Sequence, residues 1–383
     1  MELATPFVEV ADAIVESGGK DLNLCYQCAT CTASCPWGFV DPLNMRQLIH
    51  LAQLGMEGYE GEDLWKCTTC STCVERCPRG VEIIDLVRSL RMIIGETGLI
   101  PPSLRAALGS VHSNGNPWNG PREDRNAWAG ANGIPGYDAG KHEYLLFACC
   151  MSSYDSRSRK IAESLIKILN KAGISLGVLG PEESCCGESV RKMGNETLFD
   201  TLAGGNSDLF RKHGVKKILT TSPHCYEAFK KDYAESHSGP FEVIHTSELL
   251  ADLVAEGRLD LQQKPDQVVT YHDPCYLGRW NKIFDAPRSV LQALPGVTFK
   301  EMYRIRESSL CCGGGGGRMW METKFGERFS DLRVPEALAV GAQTLVTACP
   351  YCVSMLEDSR KNLNQEESIR VMDVCELVAE YID

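Results

Sequence analysis

One cysteine ladder occurs twice in this chain, and the second copy trails the first by an almost fixed distance. The later copy reads Cys275, then Cys311-Cys312-Gly313, then Cys349-Pro350-Tyr351-Cys352. The earlier one reads Cys150, Cys185-Cys186-Gly187 and Ser222-Pro223-His224-Cys225, with a serine where one cysteine should stand. Cys150 and Cys275 are 125 residues apart, Cys185 and Cys311 126, and Ser222 and Cys349 127. A constant offset at three separate landmarks marks a duplicated unit. Within the first unit, apolar runs predict strands over 144–148, 216–221 and 241–245, and amphipathic stretches predict helices over 156–172, 225–233 and 247–256. The pattern restarts with strands over 267–272, 343–348 and 369–372 and helices over 287–293, 351–363 and 374–381. Alternating strand and helix implies two small, largely parallel sheets with cysteines at strand ends and in the loops that follow.

Ahead of the duplication, residues 1–97 carry eight cysteines in two runs joined by a helix-like segment over 42–54. The runs are Cys25-x2-Cys28-x2-Cys31-x3-Cys35-Pro36 and Cys67-x2-Cys70-x2-Cys73-x3-Cys77-Pro78. This spacing holds a pair of cubane [4Fe–4S] clusters: three close thiolates wrap one cluster and the fourth reaches across to the other. One cluster is expected on Cys25, Cys28, Cys31 and Cys77, the other on Cys67, Cys70, Cys73 and Cys35. Two complete runs, each closed by Cys-Pro, argue against a pair of zinc sites. Neighbouring cubes serve as an electron relay. Residues 98–141 hold no cysteine and are rich in Gly, Pro and Asn, so they are expected to wrap a surface and pin themselves with Trp118 and Trp128. The expected plan is α+β/α/β: a mostly helical ferredoxin-like domain (1–97), a wrapping linker (98–141) and two α/β domains (142–262 and 263–383).

Composition narrows the class of protein. A net charge of −12 with no dense Lys/Arg block excludes a nucleic-acid binder. The longest apolar stretches, such as Tyr144–Cys150, are far too short to cross a bilayer. No charged-then-apolar leader opens the chain, so its 19 cysteines are expected in a reducing, cytoplasmic and oxygen-poor setting, as metal ligands rather than disulfides.

The intact second ladder offers five thiolates where a cubane needs four. That excess suggests an open cluster with a bridging thiolate, or a site where a substrate sulfur meets iron. In the first ladder Cys150, Cys185, Cys186 and Cys225 remain, with Cys149 alongside. They suit a tetrahedral zinc, a simpler cluster, or no metal at all, as small buried apolar residues. The glycines Gly313–Gly317 lack the Gly-Lys-Ser/Thr ending of a phosphate loop. They are expected to let backbone approach a bulky cluster closely, with amides donating to sulfur. His272 and His224 are candidate proton donors to leaving thiolates; the plainer reading is strand-end histidines bonded to backbone. Arg279 and Arg318 are candidates for holding an anionic substrate or partner, or for salt bridges. Cys375 is expected in the core, and Trp37, Trp65 and Trp320 are expected to pack near clusters.

The segments Tyr271-His272-Asp273-Pro274-Cys275-Tyr276-Leu277-Gly278-Arg279, Leu310-Cys311-Cys312-Gly313 and Thr347-Ala348-Cys349-Pro350-Tyr351-Cys352 resemble the cysteine-rich CCG domains of heterodisulfide reductases. Cys25-Tyr26-Gln27-Cys28 and Leu64-Trp65-Lys66-Cys67 resemble the small ferredoxin subunit of those enzymes. One chain carrying both is similar to the fused D-type subunit, over nearly its whole length beyond the first stretch of about 20 residues. The resemblance implies a non-cubane [4Fe–4S] cluster on Cys275, Cys311, Cys312, Cys349 and Cys352, at which a disulfide is cleaved reductively. It equally allows a pure electron-transfer module of a larger complex. With no FAD, NAD or haem motif, the chain needs a partner: a flavoprotein, a membrane cytochrome or quinone subunit, or another metalloenzyme such as an aromatic-acyl-CoA reductase. Such a partner would attach it peripherally to the inner face of the membrane. Ser222 leaves one reactive centre expected rather than two.

Overall fold

Each copy of the ladder builds a four-stranded, wholly parallel sheet. The computed structural model describes residues 6–236, 241–324 and 326–382. In lobe 1 the strands β1 (Tyr144–Phe147), β2 (Leu176–Gly177), β3 (Lys217–Thr220) and β4 (Glu242–His245) lie in the order β2-β1-β3-β4. In lobe 2, β5 (Gln267–Tyr271), β6 (Val297–Phe299), β7 (Thr344–Thr347) and β8 (Arg370–Asp373) repeat it as β6-β5-β7-β8. Three strands per copy match the apolar runs in the sequence. The edge strands β2 and β6, of two and three residues, are too short to leave a periodic signal.

The helices also depart from expectation in places. Glu196–Lys212 and Phe329–Ala339 are additional. The helix expected over 225–233 is broken, with a π-helical turn at Ala228–Asp232 between Pro223–Glu227 and Tyr233–Ser236. Residues 98–141 are more than a wrap: Pro102–Asn114 is a helix of 13 residues that opens on Pro102, where a missing N–H costs nothing. Trp118 does meet Trp320 edge to face, at 6.0 Å, and Trp128 is buried.

The two sheets share one apolar core on their adjoining faces, with Leu146, Leu165 and Leu250 of lobe 1 against Val290, Val346 and Leu377 of lobe 2. Arg157 ties the lobes further by pairing with Glu376 (2.7 Å) and Glu357 (3.2 Å). The N-terminal helices Val8–Glu16, Met45–Leu54 and Ile83–Glu96 surround the two cysteine loops and join a second core that runs into both lobes. Arg91, fully buried, donates to the carbonyls of Leu64 and Cys67 in its own domain, of Lys192 in lobe 1, and of Gly316 in lobe 2. One guanidinium thus fastens three parts of the chain. Among the described residues no helix is long and apolar enough to cross a membrane.

Candidate iron–sulfur centres

The two N-terminal loops share an unusual backbone. Gln27 and Ala29, two and four residues after Cys25, have φ of 68° each; Thr69 and Ser71, two and four after Cys67, have φ of 52° and 64°. Left-handed turns at matching places curl each loop around its sulfurs and aim N–H groups inward. The Thr69 amide accordingly donates to Cys67 Sγ (3.4 Å), and the Val81 amide to Cys77 Sγ (3.4 Å). Cys35 leaves its own run and joins Cys67, Cys70 and Cys73 around a pocket that Cys31 also borders. Cys25, Cys28 and Cys31 stay together, and Tyr26 lies near both Cys28 and Cys77. Cys28 is solvent-exposed, whereas Cys67, Cys70 and Cys73 are buried.

Lobe 2 brings its five sulfurs together in the interior, each residue 1–6% exposed. Cys275 and Cys311 Sγ lie 4.0 Å apart, Cys312 and Cys352 Sγ 3.4 Å, and the Gly313 amide donates to Cys311 Sγ (3.3 Å). Cys349 and Cys352 bracket the start of the helix Pro350–Asn362, whose dipole favours negative charge there. Burial pushes the Cys349 thiol up, but hydrogen bonds from Cys352 and the cationic His224 overcome it and hold the group at about 5. Buried, converging thiolates with amide donors suit an iron–sulfur cluster.

This site abuts the second N-terminal set directly. Cys311 Sγ lies 3.7 Å from Thr68 Oγ1, and Cys70 also faces Cys311. The glycine run explains the closeness. A Cβ on Gly315 would sit 2.4 Å from the Thr68 carbonyl oxygen, and one on Gly316 2.5 Å from that of Cys67. The amides of Gly313 and Gly314 meet the expectation of donors aimed at sulfur, on Cys311 and Cys312, whereas Gly315 and Gly316 let two backbones touch.

In lobe 1, Cys149, Cys150, Cys185, Cys186, Cys225 and Ser222 border one pocket. Arg125 Nη1 donates to Cys150 Sγ (3.3 Å), while its Nε pairs with Glu183 (3.2 Å). Both residues are buried. The linker therefore supplies part of this site, and no cysteine spacing could have pointed to Arg125. Ser222 serves as the residue before the helix Pro223–Glu227, the place Cys349 holds in lobe 2.

The two histidines do not follow the plainer expectation of bonds to backbone. His224, from lobe 1, reaches lobe 2: its ring bonds Cys349, and its Nδ1 pairs with Glu188 Oε2 at 2.9 Å. It sits between the rings of Tyr276 (4.0 Å) and Tyr351 (4.4 Å). Burial opposes its charge, but Glu188 and Cys349 raise its pKa to about 10. Glu188 escapes a search for cysteine motifs, although it carries a visible signal: it stands where lobe 2 has Gly314. His272 accepts from Arg333 Nε at Nδ1 (3.2 Å), and one of its ring nitrogens lies within 4.8 Å of the Cys312 and Cys352 sulfurs. Burial, then Arg333, hold it neutral, with a pKa of about 3.

Among the described residues neither arginine forms a salt bridge with a carboxylate. Arg279 donates to backbone carbonyls, and Arg318 to Thr323 Oγ1 (3.0 Å) while stacking over Trp37 (5.2 Å). Cys375 is in the core, and Trp37, Trp65 and Trp320 pack as expected.

Comparison with known proteins agrees with this geometry. The cysteine-rich CCG domain model matches residues 144–230 and 269–357, and a 4Fe-4S dicluster domain model matches residues 24–82. The D-type subunit of the dihydromethanophenazine:CoB–CoM heterodisulfide reductase of Methanosarcina mazei is 35% identical over 313 residues, covering 79% of this chain and 73% of that protein. The chain belongs to this family. It is also 42% identical over 310 residues to a probable iron–sulfur-binding oxidoreductase FadF of Bacillus subtilis, and 40% identical over 310 residues to an EtfAB:quinone oxidoreductase of Syntrophomonas wolfei. These matches cover 79% and 78% of this chain but 43% of each relative, so the chain spans less than half of their length. A hypothetical protein from Helicobacter pylori shares the fold, with a TM-score of 0.52 at 13% identity over 97% of this chain and 72% of that one.

Proposed function

We propose that this family member is an iron–sulfur relay. Single electrons enter at the Cys25, Cys28, Cys31 and Cys77 set, pass to the Cys67, Cys70, Cys73 and Cys35 set, and arrive at the five cysteines of lobe 2. When bound, [4Fe–4S] clusters supply one-electron storage and transfer. The observation that carries the reading is the 3.7 Å contact between Thr68 Oγ1 and Cys311 Sγ, which joins the last two sets without intervening solvent. Exposed Cys28 and Tyr26 give a donor protein its approach, and burial of the other sets keeps water and stray oxidants away. A cubane in each N-terminal set and a non-cubane cluster in lobe 2 fit the thiolate counts. The lobe-1 cysteines, one thiolate short, hold zinc or a simpler metal centre off this line. The name of the S. wolfei relative, an EtfAB:quinone oxidoreductase, supports a flavoprotein donor and a quinone-linked acceptor, reached through partner proteins.

A second reading has its own support: five thiolates exceed what conduction needs, and the M. mazei relative is part of a heterodisulfide reductase. Lobe 2 would then be the site where a disulfide takes two electrons and two protons to give two thiols. Anaerobic oxidised chain is mixed with reduced electron-transfer flavoprotein and, separately, chain reduced to completion is mixed with a low-molecular-mass disulfide. The relay predicts that the flavoprotein reduces the chain and that no thiol is released. Release of two thiols per two electrons would replace it with the second reading.

A further inference from the structure

Arg279 is 2% exposed and sits where the second N-terminal set meets lobe 2. Its Nε donates to the Cys70 carbonyl (2.7 Å), and its Nη1 to the carbonyls of Ser309 (2.7 Å) and Glu307 (3.2 Å). Its Nη2 is buried without a hydrogen-bond partner. Cys70, Cys275 and Cys311 are the groups that act on its charge, so the guanidinium faces both cysteine sets at once. Among the described residues no carboxylate bonds it. Lobe 1 offers the counter-example: Arg125 lies against Cys150, but Glu183 neutralises it, with Asn126 and the Leu179 amide holding that carboxylate in place.

We propose that Arg279 is a shared charge that raises the reduction potentials of the second N-terminal centre and the lobe-2 centre together. The inference rests on the relay reading, since both sets must hold clusters. Each centre gains one negative charge on reduction, and a buried cation beside it stabilises that form with little solvent screening. Because both centres face the same guanidinium, the step between them stays nearly level. A rise at the two inner centres, and not at the Cys25, Cys28, Cys31 and Cys77 set, would draw electrons inward. Arg279 acts through the ligands it adjoins and is a positioning residue.

The test is an EPR-monitored redox titration of the full, iron-loaded chain, with Arg279→Gln and Arg279→Lys beside it. In Arg279→Gln the one-electron equilibria of both inner centres should shift at least tenfold towards the oxidised form, a fall of about 59 mV. The outer centre should stay in place. Arg279→Lys keeps the charge but not the forked bonds, and should hold both potentials within that margin. The proposal is overturned if Arg279→Gln leaves both potentials unmoved, or if the lysine variant falls as far. If the glutamine variant does not accumulate, the lysine variant decides alone. A Cys312→Ala chain that retains all its iron would instead sink the relay reading itself.

Discussion

Lobes 1 and 2 share strand order, ladder spacing and cap geometry, yet their cysteine sites differ in charge as much as in ligand count. Lobe 2 keeps Cys349 where lobe 1 has Ser222, and has an arginine on carbonyls where lobe 1 has an arginine paired with Glu183. The asymmetry reaches across the boundary, because lobe 1 lends His224 to Cys349. Duplication supplied two equal scaffolds. On the proposed relay, the side-chain differences make lobe 2 the site for electrons and lobe 1 a support for it.

The largest expected effect comes from paired variants of equivalent cysteines. Cys312→Ala should cost about four irons per chain and stop electron arrival in lobe 2, measured by iron analysis and EPR. Cys186→Ala should leave that arrival intact; loss in both variants would mean the lobes are not divided in this way. A middle effect is structural. Gly316→Ala forces a Cβ to within 2.5 Å of the Cys67 carbonyl at a φ of +60°, and should lower stability by about 1–3 kcal/mol. Gly341→Ala, also left-handed but with open space around it, should cost about 1 kcal/mol or less. Denaturant midpoints compare them, and equal losses would deny the glycine run its packing role.

A third comparison separates the lobes by pH. His245 and Asp373 hold the same place, capping the helix after the last strand of each sheet. Burial holds the His245 imidazole at about 3, so it stays neutral in the folded chain while the unfolded chain takes a proton near pH 6.5. Its contribution is present above pH 6.5 and lost as pH falls. Burial raises the Asp373 carboxyl to about 8, so the folded chain keeps a proton that the unfolded chain releases near pH 3.8. Its contribution is present below that value and lost as pH rises towards 8. Each limb should slope by at most about 1.4 kcal/mol per pH unit. His245→Gln should flatten the acid limb and Asp373→Asn the limb from pH 5 to 8; an unchanged stability curve in either variant would contradict the cause given for that limb.

Cysteine spacing made the duplication legible, along with the two ferredoxin-type runs, because ligand geometry constrains spacing tightly. Strands β1, β3, β4, β5, β7 and β8 were legible from their apolar runs. Arg125 and Arg91 were not, because each works through contacts between segments far apart in the chain. His224 was visible as a residue but not as a bridge, since its partners Glu188 and Cys349 belong to different lobes. Gly315 and Gly316 stand out in the sequence but point to the wrong neighbour: a second backbone fills the space that a cluster was expected to claim.

The central claim is that electrons reach lobe 2 only through the second N-terminal set. Rapid freeze-quench EPR after mixing the oxidised chain with reduced flavodoxin, in wild type and Cys73→Ala, tests it most directly. The relay predicts that N-terminal signals rise before the lobe-2 signal in wild type, and that the lobe-2 signal fails to appear in Cys73→Ala. A lobe-2 signal that rises equally fast in both proteins would contradict it.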